Sequence, residues 1–203
     1  MNYYKRAVLA DFHSKLKPNK VLILLGARRV GKTQLIKKYL ETTDEKVLQL
    51  NGEDINDIRL LEERSVANYS KLLQDVSILV IDEAQNIPEI GLILKLIVDG
   101  IDGIKVIATG SSMFDLANKL GEPLVGRKNT IYLFPLSQIE FSQFENYKQT
   151  TENLETRLLY GGYPELTHYE SWDEKKEYLK EIVNSYLLKD ILVFDLSRKG
   201  NQN

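Results

Sequence analysis

A glycine-rich segment near the start of the chain has the residue types that bind phosphate groups. Residues 26–33 read GARRVGKT and match the pattern G-x-x-x-x-G-K-[ST]. Two glycines let the backbone turn tightly and bring its N–H groups close to phosphate oxygens. Lys32 would place its charge on the β- and γ-phosphates, and the Thr33 hydroxyl would ligate Mg²⁺. Nucleotide contacts are therefore expected from Gly26, Ala27, Arg28, Arg29, Val30, Gly31, Lys32, Thr33 and Gln34.

The residues on either side of this loop have the patterns of a strand and a helix. Residues 21–25 are continuously apolar, as in a parallel strand that is buried on both faces. Apolar residues recur at helical spacing over residues 33–40. A strand, a glycine loop and a helix in this order direct the partial positive charge of the helix N-terminus at the phosphates. The alternative is a glycine turn beside a surface lysine.

A second apolar run, at residues 77–81, ends in two adjacent carboxylates, Asp82 and Glu83. The C-terminal ends of parallel strands lie at the edge of the sheet where ligands bind. Asp82 is expected to help hold Mg²⁺, and Glu83 to orient and polarise the attacking water. Many strands end in acidic residues for solubility alone, so the pattern gains its meaning from the phosphate-binding loop that precedes it.

Two further positions could act on the γ-phosphate. The apolar residues 104–108 are followed by TGSS, in which a hydroxyl, with Ser111 as the candidate, would contact the γ-phosphate or the water. Ser111 or Ser112 would equally serve as a local N-cap of the next helix. Arg127 precedes a strand expected at residues 130–134 and would stabilise phosphate charge in its own or a neighbouring subunit. A surface salt bridge explains Arg127 as well.

Strand and helix patterns alternate along the N-terminal two thirds of the chain, which predicts a parallel α/β sheet covered by helices on both faces. Beyond Pro135 the strand patterns stop and helices follow, two of them started by capping boxes at Ser137 and Ser171. We therefore expect an ATPase-type core at residues 1–134, a helical lid subdomain at 135–196 and a polar tail at 197–203. A further strand is expected at residues 47–50. Further helices are expected at residues 55–74 (two short helices), 87–98, 113–120 and 152–160.

The residues 161–164, GGYP, have two interpretations. As structure, the glycines stop a helix and Pro164 prevents its resumption. As function, Tyr163 and Pro164 would cover the adenine or ribose as part of a closing lid. The residue pattern leaves both open.

Composition excludes several classes of site. The chain has 203 residues, 43% of them hydrophobic and 28% charged, which is typical of a globular protein. Its net charge of −2 argues against a globally basic protein that coats nucleic acid. The lack of cysteine excludes disulfides and thiolate chemistry and fits a cytoplasmic location. No membrane span is expected, because the most apolar stretch, residues 87–98, is too short.

The motifs GARRVGKT, ILVIDEAQ, ATGSS, GR before a strand ending in FPLS, and GGYP together resemble one family of prokaryotic AAA-type ATPases. The resemblance covers about residues 3–190. It implies a P-loop NTPase core of five parallel strands, with the strand before Thr109 lying between the loop strand and the Asp82 strand. It also implies a helical lid from Pro135 and, usually, a further C-terminal domain of unknown function. Arg29 stands where the family often has glutamine, and we expect little effect, because that position contributes backbone.

These motifs predict a domain that binds ATP and hydrolyses it with Mg²⁺ to drive or gate a conformational change. The alternative is a nucleotide-gated signalling switch that binds ATP with little turnover, since a switch needs the same loop. A GTPase is disfavoured, because no D-x-x-G turn follows Asp82 and no N-K-x-D motif occurs.

Partners are less well defined by the sequence. The resemblance implies self-association, in which Arg127, or else Arg28, completes a neighbour's site. The apolar side chains of residues 191–193 would be expected to pack against further protein, which suggests a missing C-terminal domain. A nucleic-acid partner is supported only by analogy with other AAA-type proteins, because the sequence has neither a basic stripe nor interleaved aromatic residues.

Overall fold

The computed structural model describes residues 3–111 and 122–187. These residues form two compact units. One, here called the sheet unit, contains residues 8–27 and 31–133 within the described ranges. The other, here called the helical unit, contains residues 3–7, 28–30 and 134–187. The helix expected at residues 113–120, Ser112 and the apolar residues 191–193 lie outside the described residues.

Five strands form one parallel sheet in the described part of the sheet unit, as predicted. The strand order is β2-β3-β4-β1-β5, so β4 separates the loop strand β1 from the Asp82 strand β3, which confirms the order that the family resemblance implied. β5 begins and ends two residues earlier than the pattern suggested. The strands are β1 (Lys20–Leu25), β2 (Val47–Asn51), β3 (Ile78–Asp82), β4 (Lys105–Gly110) and β5 (Lys128–Tyr132).

Strand register brings the motifs to one edge of this sheet. Leu25 of β1 lies beside Gly110 of β4, and Asn51 of β2 lies beside Asp82 of β3. The three central strands are almost wholly buried, which explains their unbroken apolar runs. The C-terminal ends of β1, β3 and β4 therefore carry the phosphate-binding loop, the two carboxylates and the hydroxyl residues at the same edge.

One helix of the sheet unit precedes β1, and the other described helices lie between its strands. The helix expected at residues 87–98 begins later, at Ile90, because Pro88 interrupts it and Glu89 has a left-handed backbone with φ of 56°. A 3₁₀ turn, Ala84–Asn86, precedes it. The α-helices of this unit are α1 (Leu9–Lys15), α2 (Lys32–Leu40), α3 (Ile55–Glu62), α4 (Val66–Leu72) and α5 (Ile90–Gly100). A second 3₁₀ turn, Glu122–Leu124, lies ahead of β5.

The helical unit contains short helices. Both predicted capping boxes are present: the Ser137 N–H donates to Glu140 (2.8 Å), and the Ser171 hydroxyl contacts Glu174 (2.7 Å). The helix expected at residues 152–160 is present at Leu154–Tyr160, and Asn146 caps an additional short helix ahead of it. The α-helices are α6 (Gln138–Phe141), α7 (Tyr147–Glu152), α8 (Leu154–Tyr160) and α9 (Trp172–Ile182), which continues into a π-helical turn, Val183–Leu187. No described helix is long and apolar enough to cross a membrane.

Candidate nucleotide-binding site

The phosphate-binding loop buries the ammonium group of Lys32. Its Nζ donates to the carbonyl oxygens of Gly26 (2.8 Å) and Ala27 (3.1 Å), and the residue is only 6% exposed. A buried ammonium needs such acceptors, because an unpaired charge away from water is costly. Gly31 has φ of 98°, a left-handed conformation that favours glycine, and α2 begins at the next residue. The sequence therefore places Lys32 and Thr33 in the first turn of α2, with Gln34 exposed beside them.

Thr33 and Asp82 meet across the site. The Thr33 hydroxyl donates to Asp82 Oδ2 at 3.1 Å, although 49 positions separate them in the chain. Thr33 lies in the first turn of α2, and Asp82 is the last residue of β3. The two oxygen donors predicted for Mg²⁺ are thus next to each other.

Thr109, near the end of β4, forms hydrogen bonds with both Asp82 and Glu83. Its side chain is fully buried, and its hydroxyl donates to Asp82 Oδ1 and accepts from the backbone N–H of Glu83 (3.1 Å). The sequence singled out the TGSS segment, but it gave no sign that Thr109 would hold Asp82. That function depends on β3 and β4 being adjacent strands.

Glu83 and Ser111 are joined through a residue that sequence reasoning missed. The amide nitrogen of Gln85 donates to Glu83 Oε2 (2.5 Å) and lies 3.4 Å from the Ser111 hydroxyl. Gln85 was visible within the motif ILVIDEAQ, but no function was assigned to it. Ser111, which directly follows β4, is buried, and its contact with the γ-phosphate stays a prediction.

Arg127 does not reach this edge of the sheet. Its carbonyl accepts from the N–H of Val21, at the opposite end of β1 from the loop. At about 3.3 Å per residue, the strand separates Arg127 from the loop by roughly 13 Å. Its guanidinium pairs with Asp99 at 2.6 Å, which is the surface salt bridge given as the alternative. This position and this ion pair argue against an action of Arg127 on its own subunit's nucleotide, and they favour the alternative of a surface salt bridge.

The loop residues 28–30 belong to the helical unit, and Arg29 has side-chain partners there. Its guanidinium lies 2.9 Å from Glu181 and 3.8 Å from Glu165, and 5.6 Å from the centre of the Tyr178 ring. Burial, followed by the charge of Glu165, raises the pKa of Tyr178 to about 12, although Arg29 opposes the shift. The expectation that position 29 contributes only backbone is wrong. Arg28, in the same segment, is half-buried.

The backbone of Val30 is fixed by a buried arginine of the same unit. Arg6 donates to the Val30 carbonyl at 2.6 Å and forms an ion pair with Glu140 at 2.9 Å, with both side chains about 5% exposed. No sequence pattern indicated this contact, because Arg6 and Glu140 are 134 positions apart.

The GGYP segment makes structural contacts within the helical unit. The Gly162 carbonyl accepts from the N–H of Leu136 at 2.6 Å, and a Cβ on Gly162 would overlap the Leu136 carbonyl. Tyr163 packs against a small buried cluster that includes Leu166 and Tyr178. Pro164 begins a 3₁₀ helix, Pro164–His168, rather than ending helical structure. These contacts favour the structural interpretation, and a contact of Tyr163 or Pro164 with adenine stays a prediction.

Comparisons with known proteins agree with this geometry. A family model described as "AAA domain" matches residues 18–142. The chain is 28% identical to the curated "Uncharacterized protein MJ1544" of Methanocaldococcus jannaschii over 209 residues, which are 92% of this chain and 45% of that protein. The chain therefore spans less than half the length of this relative. The fold is similar to that of the Walker-type ATPase PABY2304 of Pyrococcus abyssi, with a TM-score of 0.60 at 15% identity over 98% of this chain and 77% of that one.

Proposed function

Because the chain belongs to the AAA domain family and is an ATP-binding domain, we propose that it hydrolyses ATP with Mg²⁺ to drive or gate a conformational change. The observation that carries the proposal is the contact between Thr33 and Asp82, with Glu83 as the next residue. It joins a hydroxyl of the phosphate-binding loop to the carboxylates at the end of β3 in one group.

The donors that Thr33 and Asp82 present fit Mg²⁺. Both offer oxygen atoms, which hard cations prefer. Among the described residues, no three or more His, Asp or Glu side chains gather into a dedicated cation site. Mg²⁺ commonly uses one or two protein ligands and completes its shell with phosphate oxygens and water. When bound, it would neutralise charge that develops on the phosphates.

Residues of the chain itself would bind the phosphates and accept the proton from water. Lys32 would lie against the β- and γ-phosphates once its ammonium exchanges the Gly26 and Ala27 carbonyls for phosphate oxygens. Glu83 would accept a proton from the attacking water, since its carboxylate follows directly on the Mg²⁺ ligand Asp82. Backbone N–H groups of the loop and the N-terminus of α2 would bind the phosphate oxygens.

Replacing Asp82 with asparagine tests the metal site. We expect the wild type to bind ATP more tightly with Mg²⁺ than with EDTA, and the variant to lose most of that difference, by roughly tenfold or more. The asparagine keeps the shape of the side chain but removes the charge that Mg²⁺ requires. ATP affinity is measured by calorimetric titration, with Asp102→Asn, an exposed aspartate, as the control. An equal loss of affinity in Mg²⁺ and in EDTA would show that Asp82 supports the loop instead.

We also propose that turnover depends on self-association, with Arg127 acting on a neighbouring subunit. The support is its position: it directly precedes β5, an edge strand, and lies away from its own loop. Arg28 is the second candidate.

If turnover depends on self-association, turnover per molecule should rise with protein concentration. A constant turnover per molecule in a monomer would contradict this proposal. A further C-terminal domain and a nucleic-acid partner stay without structural support.

A further inference from the structure

The side chain of Gln85 holds the carboxylate of Glu83 in one orientation. Gln85 lies in the 3₁₀ turn Ala84–Asn86, which directly follows Glu83. Its amide nitrogen is 2.5 Å from Glu83 Oε2, and Gln85 is only 6% exposed. A buried N–H donor to a carboxylate is among the stronger hydrogen bonds in a protein.

The backbone of Glu83 is fixed independently. It adopts a left-handed conformation with φ of 48°, which is uncommon for a residue with a side chain. Its N–H is held by the Thr109 hydroxyl (3.1 Å) and by Asp82 Oδ1 (3.2 Å). Residues of β3 and β4 thus hold the backbone of Glu83, and Gln85 holds its carboxylate.

Only one of the two carboxylate oxygens is engaged in this way. Oε2 of Glu83 accepts from Gln85, whereas no described residue donates to Oε1. A carboxylate that is already oriented can accept a proton from water without first losing side-chain freedom.

We infer that Gln85 is a positioning residue for hydrolysis: it orients Glu83 toward the attacking water. The inference rests on the proposed ATPase function. The amide of Gln85 also lies 3.4 Å from the Ser111 hydroxyl at the end of β4, which limits rotation of the amide. Gln85 therefore links Glu83 to the strand that carries the candidate γ-phosphate contact.

Replacing Gln85 with glutamate tests this inference with little change of shape. The variant exchanges the donor for a second carboxylate that repels Glu83. We expect kcat for ATP to fall about tenfold or more, with ATP affinity within about twofold of the wild type. Gln85→Ala, which removes the donor without adding charge, should also lower kcat. Gln74→Glu makes the same chemical change at an exposed position and should leave kcat unchanged.

A double-variant comparison separates positioning from general support of the fold. If Gln85 acts through Glu83, then Gln85→Ala should cause no further loss of kcat when Glu83 is already glutamine. Losses that multiply in the double variant, or a wild-type kcat in both Gln85 variants, would overturn the inference.

The contact can also be measured without turnover. The NMR signals of the Gln85 side-chain amide protons are assigned by their absence from the spectrum of Gln85→Ala. These signals should shift upfield from wild type to Glu83→Ala, whereas those of the Gln74 side chain should not. Unchanged Gln85 resonances would overturn the inference even if the enzyme turns over ATP. A wild type without Lys32-dependent phosphate release would instead overturn the ATPase proposal, and with it the effect of Gln85 on kcat, while the amide shift would still report the contact.

Discussion

Replacing Glu83 with glutamine should lower ATP turnover by about 100-fold or more and leave ATP affinity intact, the range expected when a general base is lost. The variant removes the basic oxygen but keeps the size of the side chain and a carbonyl that still accepts from Gln85. The backbone of Glu83 stays fixed by Thr109, so the loop and Lys32 should be undisturbed. Phosphate release at saturating ATP and a calorimetric ATP titration measure the two effects separately.

The control for this experiment is Glu62→Gln, which makes the same change on the exposed face of α3. Because the change removes a negative charge near the phosphates, Glu83→Gln should bind ATP at least as tightly as the wild type. A parallel loss of binding and turnover would show that Glu83 supports the structure instead of acting on water.

Replacing Glu140 with glutamine should destabilise the helical unit by about 3–5 kcal/mol, the cost of leaving a buried charge without its partner. Arg6 donates to Glu140 Oε1 at 2.9 Å, and the backbone N–H groups of Ala7 and Ser137 donate to the two carboxylate oxygens at 2.8 Å each. The neutral amide would leave the Arg6 charge buried and offer one oxygen where the carboxylate offers two. Urea unfolding at neutral pH measures the loss, with the exposed Glu170→Gln as the control.

The same carboxylate should make the wild type sensitive to acid. Burial on its own raises the pKa of Glu140, but hydrogen bonds from Ser137, Arg6 and Ala7 outweigh it and lower that pKa overall. The stabilising effect is therefore complete above the pKa of an unfolded glutamate, about 4.3, and is lost as pH falls through the lower folded-state pKa. The difference in stability between wild type and Glu140→Gln should shrink below about pH 4. A difference that does not change with pH would contradict this account of the pair.

Much of the nucleotide site could be predicted because its parts are local motifs. The strands β1 and β3 are continuous apolar runs, and the loop and the two carboxylates follow them directly. That β4 lies between these strands came from the family resemblance and is confirmed. Once the order is known, the meeting of Thr33 and Asp82 follows from parallel strand geometry.

The contacts that sequence reasoning missed depend on the three-dimensional fold. Arg6 and Glu140 are far apart in the chain, and neither belongs to a periodic pattern. The partners of Arg29 come from helices that begin more than a hundred residues later. Gln85 is close to Glu83 in sequence, but its contact requires a left-handed residue and a 3₁₀ turn that no residue type signals.

The distance of Arg127 from its own phosphate-binding loop could have been predicted from the sequence. A residue that precedes a parallel strand lies at the N-terminal edge of the sheet, opposite the loops that bind ligands. Because β5 runs parallel to β1, Arg127 lies at the edge of the sheet opposite its own loop. Proximity to a strand in the sequence does not by itself say at which edge a residue lies.

Phosphate release by the wild type and by Lys32→Ala tests the central claim most directly. The change removes the charge that the Gly26 and Ala27 carbonyls hold in the loop. Lys37→Ala, at an exposed position of the same helix, is the matched control. We predict Mg²⁺-dependent release from the wild type and from Lys37→Ala, and a fall of about 100-fold or more in Lys32→Ala, in line with the loss of a catalytic phosphate contact. Release from the wild type that does not exceed that of Lys32→Ala would contradict hydrolysis and, if ATP still binds, would leave a nucleotide-gated switch.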